Sequence, residues 1–258
     1  MVVTVHLRAA VAFAGRYPLL AGADFDARAG EIVVVKGPNG AGKTSLLRVL
    51  AGLLPLAAGE ASVLGLDPMV DARALRPLVG IVGHRTGLYD DLTAGENVRF
   101  AVRAARLPKQ AAADALERLG FGERLLRVPA GRLSAGQRRR VALAALLARR
   151  PRLWLLDEPH AGLDAQHRQL LDDLLREVAG AGATVVFASH EERTADALAH
   201  RAVVMSGGVV NGGVLLGTGP PDPRLQAVGE ATAEVVAAAA AGGANGPPAS
   251  RPEVPSVA

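Results

Sequence analysis

The stretch that decides the fold is Ile32-Val33-Val34-Val35-Lys36-Gly37-Pro38-Asn39-Gly40-Ala41-Gly42-Lys43-Thr44-Ser45, in which an apolar run leads directly into a glycine-rich loop. Within it Gly37, Gly42, Lys43 and Thr44 satisfy the spacing G-x-x-x-x-G-K-[ST]. An apolar, helix-like stretch follows over residues 46–50. Strand, loop and helix therefore agree in predicting a phosphate-binding loop, and a glycine-rich turn that binds nothing is disfavoured.

The loop predicts a Mg-ATP site. Successive backbone N–H groups would curl around the phosphates, and the end of the helix would add its positive dipole. Lys43 would reach the β and γ phosphates, and the Thr44 hydroxyl would take one position on Mg²⁺. The predicted contact residues are Gly37, Pro38, Asn39, Gly40, Ala41, Gly42, Lys43, Thr44 and Ser45.

Composition narrows the class of protein. The chain has 258 residues, no cysteine and a formal net charge of +4, which excludes disulfides and a cysteine nucleophile. No apolar run is long enough to span a membrane and no signal peptide begins the chain, so we expect a cytoplasmic location. The basic balance permits a nucleic-acid or anionic-membrane partner, but a solvated arginine-rich surface is the favoured interpretation.

Strand-like and helix-like segments alternate along the chain. Strand patterns are predicted at residues 2–7, 31–35, 79–82, 153–156 and 184–188, and helical ones at 94–133, 134–150 and 165–179. This alternation predicts a parallel sheet with helices on both faces, and a helical lobe at about 94–150 inserted in that α/β core.

One nucleotide-binding domain is expected over residues 1–217, because no internal repeat is visible. Residues 218–258 form a tail rich in proline, alanine and glycine. Such a composition predicts disorder, with a short helix at 231–241 as the exception.

A second group of candidate residues lies where the apolar run 153–156 ends in Asp157, Glu158 and Pro159. Ligands bind at the carboxyl ends of strands in sheets of this kind. Asp157 is expected to hold Mg²⁺ through water, and Glu158 to polarise a water molecule in line with the γ-phosphate. In isolation two acids after a strand more often begin a helix, but the phosphate loop favours the catalytic interpretation.

The segment Leu133-Ser134-Ala135-Gly136-Gln137 opens a helix just before that acidic strand. Here the chain resembles the ATP-binding-cassette (ABC) ATPases, whose signature is usually Leu-Ser-Gly-Gly-Gln. The resemblance implies a P-loop NTPase fold: a parallel-sheet core, an antiparallel β subdomain and an inserted helical lobe. It also implies a head-to-tail dimer in which Ser134, Gly136 and Gln137 of one subunit close over the γ-phosphate held by the other.

The same resemblance assigns roles to further residues. Asp164, in Ala161-Gly162-Leu163-Asp164, matches the loop through which the two subunits communicate, and His190 matches the switch histidine that contacts the γ-phosphate. His84 stands where the family has a Mg²⁺-sensing glutamine, so an imidazole replaces an amide oxygen there. Tyr17 and Phe13 are both candidates for the aromatic residue that stacks on adenine.

Within the cassette family, residues 37–54, 83–84, 92–100 and 134–137 are most similar to the haem exporter ATP-binding subunits of cytochrome c maturation, the CcmA family. This resemblance implies an ATPase on the inner face of the membrane that docks on transmembrane permease subunits, with haem as the cargo. Two alternatives stay open: a drug, lipid or antibiotic exporter, and a soluble ATPase for iron–sulfur assembly or nucleic acid. No nucleic-acid partner is expected, because aromatic and basic residues do not alternate.

Overall fold

Strands and helices alternate along residues 2–190 and 192–216, the part of the chain that this computed structural model describes. The strands are β1 (Val3–Ala14), β2 (Tyr17–Arg28), β3 (Ile32–Lys36), β4 (Ala58–Val63), β5 (Val79–Val82), β6 (Leu153–Asp157), β7 (Thr184–Ala188), β8 (Arg201–Ser206) and β9 (Val209–Leu215). The helices are α1 (Lys43–Leu50), α2 (Ala72–Leu75), α3 (Ala94–Ala104), α4 (Gln110–Arg118), α5 (Glu123–Leu126), α6 (Ala135–Arg149), α7 (Ala165–Gly180) and α8 (Glu192–Leu198).

The core of the fold is a six-stranded sheet with the order β5-β6-β7-β3-β8-β9. Its first five strands are parallel, and β9 runs antiparallel to β8 at the edge. Because the carboxyl ends of parallel strands meet at one edge, the residues after β3, β6 and β7 come together there. The predicted α/β fold with a parallel-sheet core is confirmed.

The central strands have side chains buried on both faces. The strands β3, β6 and β7 are almost continuously apolar, as expected where both faces of a parallel sheet are covered. In β3, Ile32 and Val34 point into one core, while Val33 and Val35 point into the other. The alternation along a strand thus divides one apolar run between two layers of packing.

Each face of the sheet has a different cover. Helices α3, α4, α6 and α7 pack on one face. The other face carries α1 together with a separate antiparallel sheet of order β2-β1-β4. Helices therefore lie on both faces, as expected, and on the second face a β-sheet accompanies them, because the long strands β1 and β2 present an alternating apolar face of their own.

The helical segment between β5 and β6 is built from α3 to α6 and a 3₁₀ turn at Ala130–Arg132. Thr93 caps α3 and Ser134 caps α6, each by a reciprocal box with a Glu or Gln three residues on. The helix α6 ends at Arg149 and is followed by Arg150, which takes a left-handed conformation with φ of 48°. No helix of residues 2–190 and 192–216 is long and apolar enough to cross a bilayer.

Several strands were not anticipated from the sequence. The first strand continues to Ala14, and β2, β4, β8 and β9 were missed. The alanine and glycine residues of β2, β4 and β9 have low intrinsic strand preference, so pairing with neighbours decides the conformation of these strands. The predicted tail, residues 218–258, lies outside the described residues.

Candidate nucleotide-binding site

The phosphate loop connects the end of β3 at Lys36 to the start of α1 at Lys43. Gly37 has φ of 142°, and a Cβ atom there would lie 2.2 Å from the Met205 carbonyl oxygen. No other residue type fits this position without moving the backbone. Past the turn, Pro38, Asn39 and Gly40 are exposed, Ala41 is buried, and Gly42 and Ser45 are half-buried.

Lys43 is buried beneath this loop. Its Nζ donates to the Gly37 carbonyl at 2.7 Å and to the Pro38 carbonyl at 3.1 Å. The ammonium group is therefore already held at the concave side of the loop, beside the backbone N–H groups of the following residues. This arrangement fits a phosphate chain, which offers oxygen acceptors to the same cation.

Thr44 and Asp157 meet across the edge of the sheet. The Thr44 Oγ1 donates a hydrogen bond of 2.8 Å to Asp157 Oδ2, although 113 positions separate the two residues. Asp157 is buried at the end of β6, while Thr44 is exposed in the first turn of α1. A hydroxyl and a carboxylate are hard oxygen ligands, so this pair fits Mg²⁺ bound together with phosphate oxygens.

Glu158 and His190 form the second pair at this edge. The His190 Nδ1 lies 2.8 Å from Glu158 Oε2, and the His190 side chain is exposed. Glu158 takes a positive φ of 51°, uncommon for a residue with a side chain. Its N–H donates to the Ala188 carbonyl at 3.0 Å, which fastens the end of β6 to the end of β7.

One residue of this site was missed by the sequence analysis. Arg139, on the buried side of α6, donates from Nη1 to the Asp157 carbonyl at 2.9 Å. Burial lowers the pKa of Arg139, while the charges of Asp157 and Glu158 act to raise it. A signal was available in the sequence, because three arginines follow Gln137 and cannot all face solvent on one helix.

The signature segment sits at the start of α6. Ser134 Oγ accepts a hydrogen bond from Gln137 N at 3.2 Å, and Ser134 N donates to Gln137 Oε1 at 3.0 Å. Gln137 is thus engaged within its own chain, whereas the Ser134 hydroxyl still has a hydrogen to donate. Gly136 packs so closely on the Gly162 carbonyl that a Cβ atom would lie 2.3 Å from that oxygen.

Asp164 caps the N-terminus of α7. Its Oδ1 accepts from the His167 backbone N–H at 2.9 Å, and the His167 ring also contacts it. The backbone hydrogen bond from His167 is the main reason why the pKa of Asp164 lies below its usual range. The side chain is exposed, so the loop of Ala161 to Asp164 stands on the surface beside Gly136.

The two candidate aromatic residues face opposite ways. In the β1–β2 hairpin, Phe13 pairs with Pro18 and Ala14 pairs with Tyr17, and directly paired residues point to the same side. Tyr17 is 78% exposed and Phe13 is 43% exposed. The hairpin strand β2 is linked to the phosphate loop through Gly208, which accepts from Ala21 N and donates to the Ala41 carbonyl.

His84 lies two residues beyond the end of β5 and is exposed. Because β5 pairs with β6 in parallel, His84 lies on the same edge of the sheet as Asp157. The role of His84 as a metal ligand stays a prediction.

Known protein families include one whose sequence pattern contains the phosphate loop and the acidic strand of this site. The family model described as ABC transporter matches residues 20–161, more than half of the chain. The chain belongs to the ABC transporter family. The resemblance to the cassette ATPases that the signature indicated is confirmed, and with it ATP binding and ATPase activity as the family's chemistry.

Relatives of this ABC protein include CcmA proteins and an ATP-binding protein of another transporter. The cytochrome c biogenesis ATP-binding export protein CcmA of Bordetella bronchiseptica is 45% identical over 182 residues, which covers 68% of this chain and 77% of that protein. The glutamine transport ATP-binding protein GlnQ of Escherichia coli is 37% identical over 215 residues, covering 79% and 89% respectively.

A solved structure matches the fold. A dimeric ATP-binding cassette in a post-hydrolysis state, bound to ADP and phosphate, superposes with a TM-score of 0.73 at 28% identity. The match covers 82% of this ABC protein and 98% of that chain. The resemblance to the CcmA family is confirmed at the level of sequence similarity, since several CcmA proteins match at 41% to 45% identity.

Proposed function

We propose that this ABC protein is the ATP-hydrolysing subunit of a membrane exporter that serves cytochrome c biogenesis, with haem as its cargo. The observation that carries the proposal is the convergence of two pairs, Thr44 with Asp157 and Glu158 with His190, at the sheet edge beside the phosphate loop. The export role rests on the similarity to CcmA proteins.

Each residue of the site has a defined part in hydrolysis. The loop backbone and Lys43 would hold the β and γ phosphates. Thr44 and Asp157 would hold Mg²⁺, which neutralises phosphate charge when bound. Glu158 orients the attacking water and accepts its proton, and His190, hydrogen-bonded to Glu158, stands where it can contact the γ-phosphate.

A second copy of the domain completes the site in this proposal. Ser134 and Gly136 lie at the N-terminus of a 15-residue helix, where N–H groups and the helix dipole favour an anion. In a head-to-tail dimer these groups would meet the γ-phosphate held by the other subunit. Asp164, exposed in the loop whose Gly162 packs on Gly136, would lie in the contact between the two subunits.

The dimer would act on transmembrane permease subunits at the inner face of the membrane. The ABC protein would then be a peripheral subunit that supplies the energy of ATP, and the permease would handle the haem. No nucleic-acid partner belongs to this proposal.

The test uses Glu158→Gln protein, purified with ATP from native membranes in mild detergent. We expect it to retain ATP, to lose turnover, and to bring down a multi-span membrane protein with haem absorbance. Lys43→Ala is the matched control, because it removes the phosphate contact and should not accumulate the ATP-bound complex. Normal turnover of Glu158→Gln would contradict the catalytic assignment.

Two further outcomes separate the cargo from the chemistry. Recovery of a different membrane protein without haem would leave the ATPase assignment standing and indicate another cargo. The name of the GlnQ relative gives glutamine as one example. Recovery of soluble partners alone, or of nucleic acid, would overturn transport.

A further inference from the structure

Three consecutive arginines on α6 have three different environments. Arg138 is partly exposed and pairs with Asp90 at 2.6 Å. Arg140 is buried in the helical segment, where it donates to the Leu119 carbonyl at 3.1 Å and lies over the Phe121 ring. Arg139 points the other way, toward the central sheet, and donates to the Asp157 carbonyl at 2.9 Å.

Arg139 is 5% exposed, so its charge has left water almost completely. A buried cation is costly unless opposite charges and hydrogen-bond acceptors compensate it. The charges of Asp157 and Glu158 favour its protonated form. The positive charge of Arg139 is therefore compensated by the two carboxylates at the end of β6, those of Asp157 and Glu158.

The Asp157 carbonyl has a special place in the backbone, because it is half of the peptide group that joins Asp157 to Glu158. The other half, the Glu158 N–H, donates to the Ala188 carbonyl at 3.0 Å. One peptide plane is thus bonded on both sides, by Arg139 from α6 and by the end of β7. The orientation of this plane, together with the course of the chain that follows it, sets φ of Glu158.

That angle is unfavourable for a residue with a side chain. Glu158 has φ of 51°, in the left-handed region that favours glycine because a Cβ atom there crowds the following carbonyl oxygen. Such a conformation persists where surrounding contacts determine it. In this conformation Glu158 Oε2 lies 2.8 Å from His190 Nδ1.

We propose that Arg139 is a positioning residue for ATP hydrolysis, which holds the peptide plane before Glu158 so that its carboxylate stays aligned with His190 and the attacking water. The proposal rests on the catalytic role of Glu158 proposed above. Because Arg139 lies three positions after Gly136 on the same helix, it also joins the signature segment to the hydrolysis site of its own chain.

The test compares Arg139→Gln with Arg140→Gln. Both remove a buried guanidinium bonded to a backbone carbonyl on one helix, so both should reduce stability. We expect Arg139→Gln to lower kcat at least about tenfold with the ATP dissociation constant within about threefold, because alignment is lost and phosphate contacts are kept. Arg140→Gln should change kcat less than about twofold. Equal losses of kcat in the two variants would show that Arg139 contributes only to packing, as Arg140 does, and would overturn the proposal.

A double-mutant cycle separates this proposal from the one on which it rests. Once Glu158→Gln has removed the carboxylate, adding Arg139→Gln should not lower the single-turnover rate further, whereas independent effects would multiply and contradict the coupling. Should Arg139→Gln fail to fold, Arg139→Lys carries the test. Its shorter side chain falls short of the Asp157 carbonyl, so we expect kcat at least about threefold lower; wild-type kcat overturns the proposal.

The two proposals can fail separately. If Glu158→Gln abolishes turnover while Arg139→Gln keeps wild-type kcat, the positioning role is wrong and the catalytic role of Glu158 stands. If Glu158→Gln itself turns over normally, the proposed site fails first.

Discussion

Thr44 Oγ1 and Asp157 Oδ2 are joined by a 2.8 Å hydrogen bond, although one residue begins α1 and the other ends β6. The bond brings two oxygen atoms together at the mouth of the phosphate loop. Thr44 and Asp157 would hold a divalent cation there, because a hydroxyl and a carboxylate supply the oxygen ligands that Mg²⁺ prefers.

Asp157→Asn should weaken the site for Mg²⁺, because an amide lacks the charge of the carboxylate. We expect the Mg²⁺ concentration for half-maximal ATPase rate to rise about tenfold or more. The measurement is a Mg²⁺ titration at fixed ATP. Asp173→Asn, the same change on an exposed carboxylate of α7, should leave the titration unaltered. An Asp157→Asn curve that overlays the wild type would show that this carboxylate does not act on the metal.

Gly136→Ala should strain the contact between the signature segment and the loop of Ala161 to Asp164. The added Cβ would lie 2.3 Å from the Gly162 carbonyl oxygen, so backbone must move. We expect a loss of about 1–3 kcal/mol in the free energy of unfolding, measured with denaturant. Gly180→Ala is the control, because a Cβ there meets nothing within 4 Å and should not destabilise the helix. Equal stabilities of the two variants would contradict the close packing.

Tyr17→Ala should reduce nucleotide affinity while Phe13→Ala should not. The two rings face opposite sides of the β1–β2 hairpin, and Tyr17 is the more exposed of the two. Tyr17 is the first residue of β2, the strand linked to the phosphate loop through Gly208. Loss of base stacking costs about 1–3 kcal/mol, and we expect a matching rise in the ATP dissociation constant. Fluorescence titration with a labelled ATP gives the two affinities. A larger effect of Phe13→Ala would reverse the assignment.

Asp26 predicts a pH dependence of stability. Burial acts to raise the pKa of Asp26, but the hydrogen bonds from Arg8 and His6 outweigh it and leave the pKa below its usual range. A lowered pKa stabilises the fold above the unfolded value of about 3.9, and this contribution is lost as the pH falls through the folded value. Wild type should therefore exceed Asp26→Asn in stability near neutral pH, and the difference should shrink below about pH 4.

Thermal unfolding of both proteins across this range is the measurement. Asp24→Asn is the control, since its carboxylate also lies on β2 but accepts from the Ala9 backbone N–H and not from Arg8. A difference between wild type and Asp26→Asn that stays constant down to acidic pH would rule out the linkage.

Much of the sheet was predictable because several of its strands are short apolar runs that are visible in the sequence. The strands β5 and β7 have the predicted bounds, since each is a short apolar run closed by glycine or a polar residue. The nearness of Thr44 to Asp157 also followed from the sequence, because ends of parallel strands meet at one edge.

Other features depend on packing that no local pattern records. The carbonyl that Arg139 contacts is set by how α6 lies on the sheet, and so the sequence did not distinguish Arg139 from its two neighbours. The choice between Tyr17 and Phe13 depends on the register of β1 with β2, which shifts at several points. The strand patterns of β8 and β9 were hard to recognise in the sequence, because Gly207 and Gly208 lie between them and Gly212 and Gly213 lie within β9. Glycine has a weak strand preference.

The two borders of the central sheet have a consequence for how copies of the chain can associate. One border, β5, is four residues long, and the other, β9, includes Gly212 and Gly213 and is irregular at Gly212, which lies between the pairs Val203–Gly213 and Val204–Asn211. Short or irregular outer strands are poor templates for a further strand. Copies of this protein are thereby discouraged from fusing into a continuous sheet, which keeps self-association available for the face that carries the nucleotide.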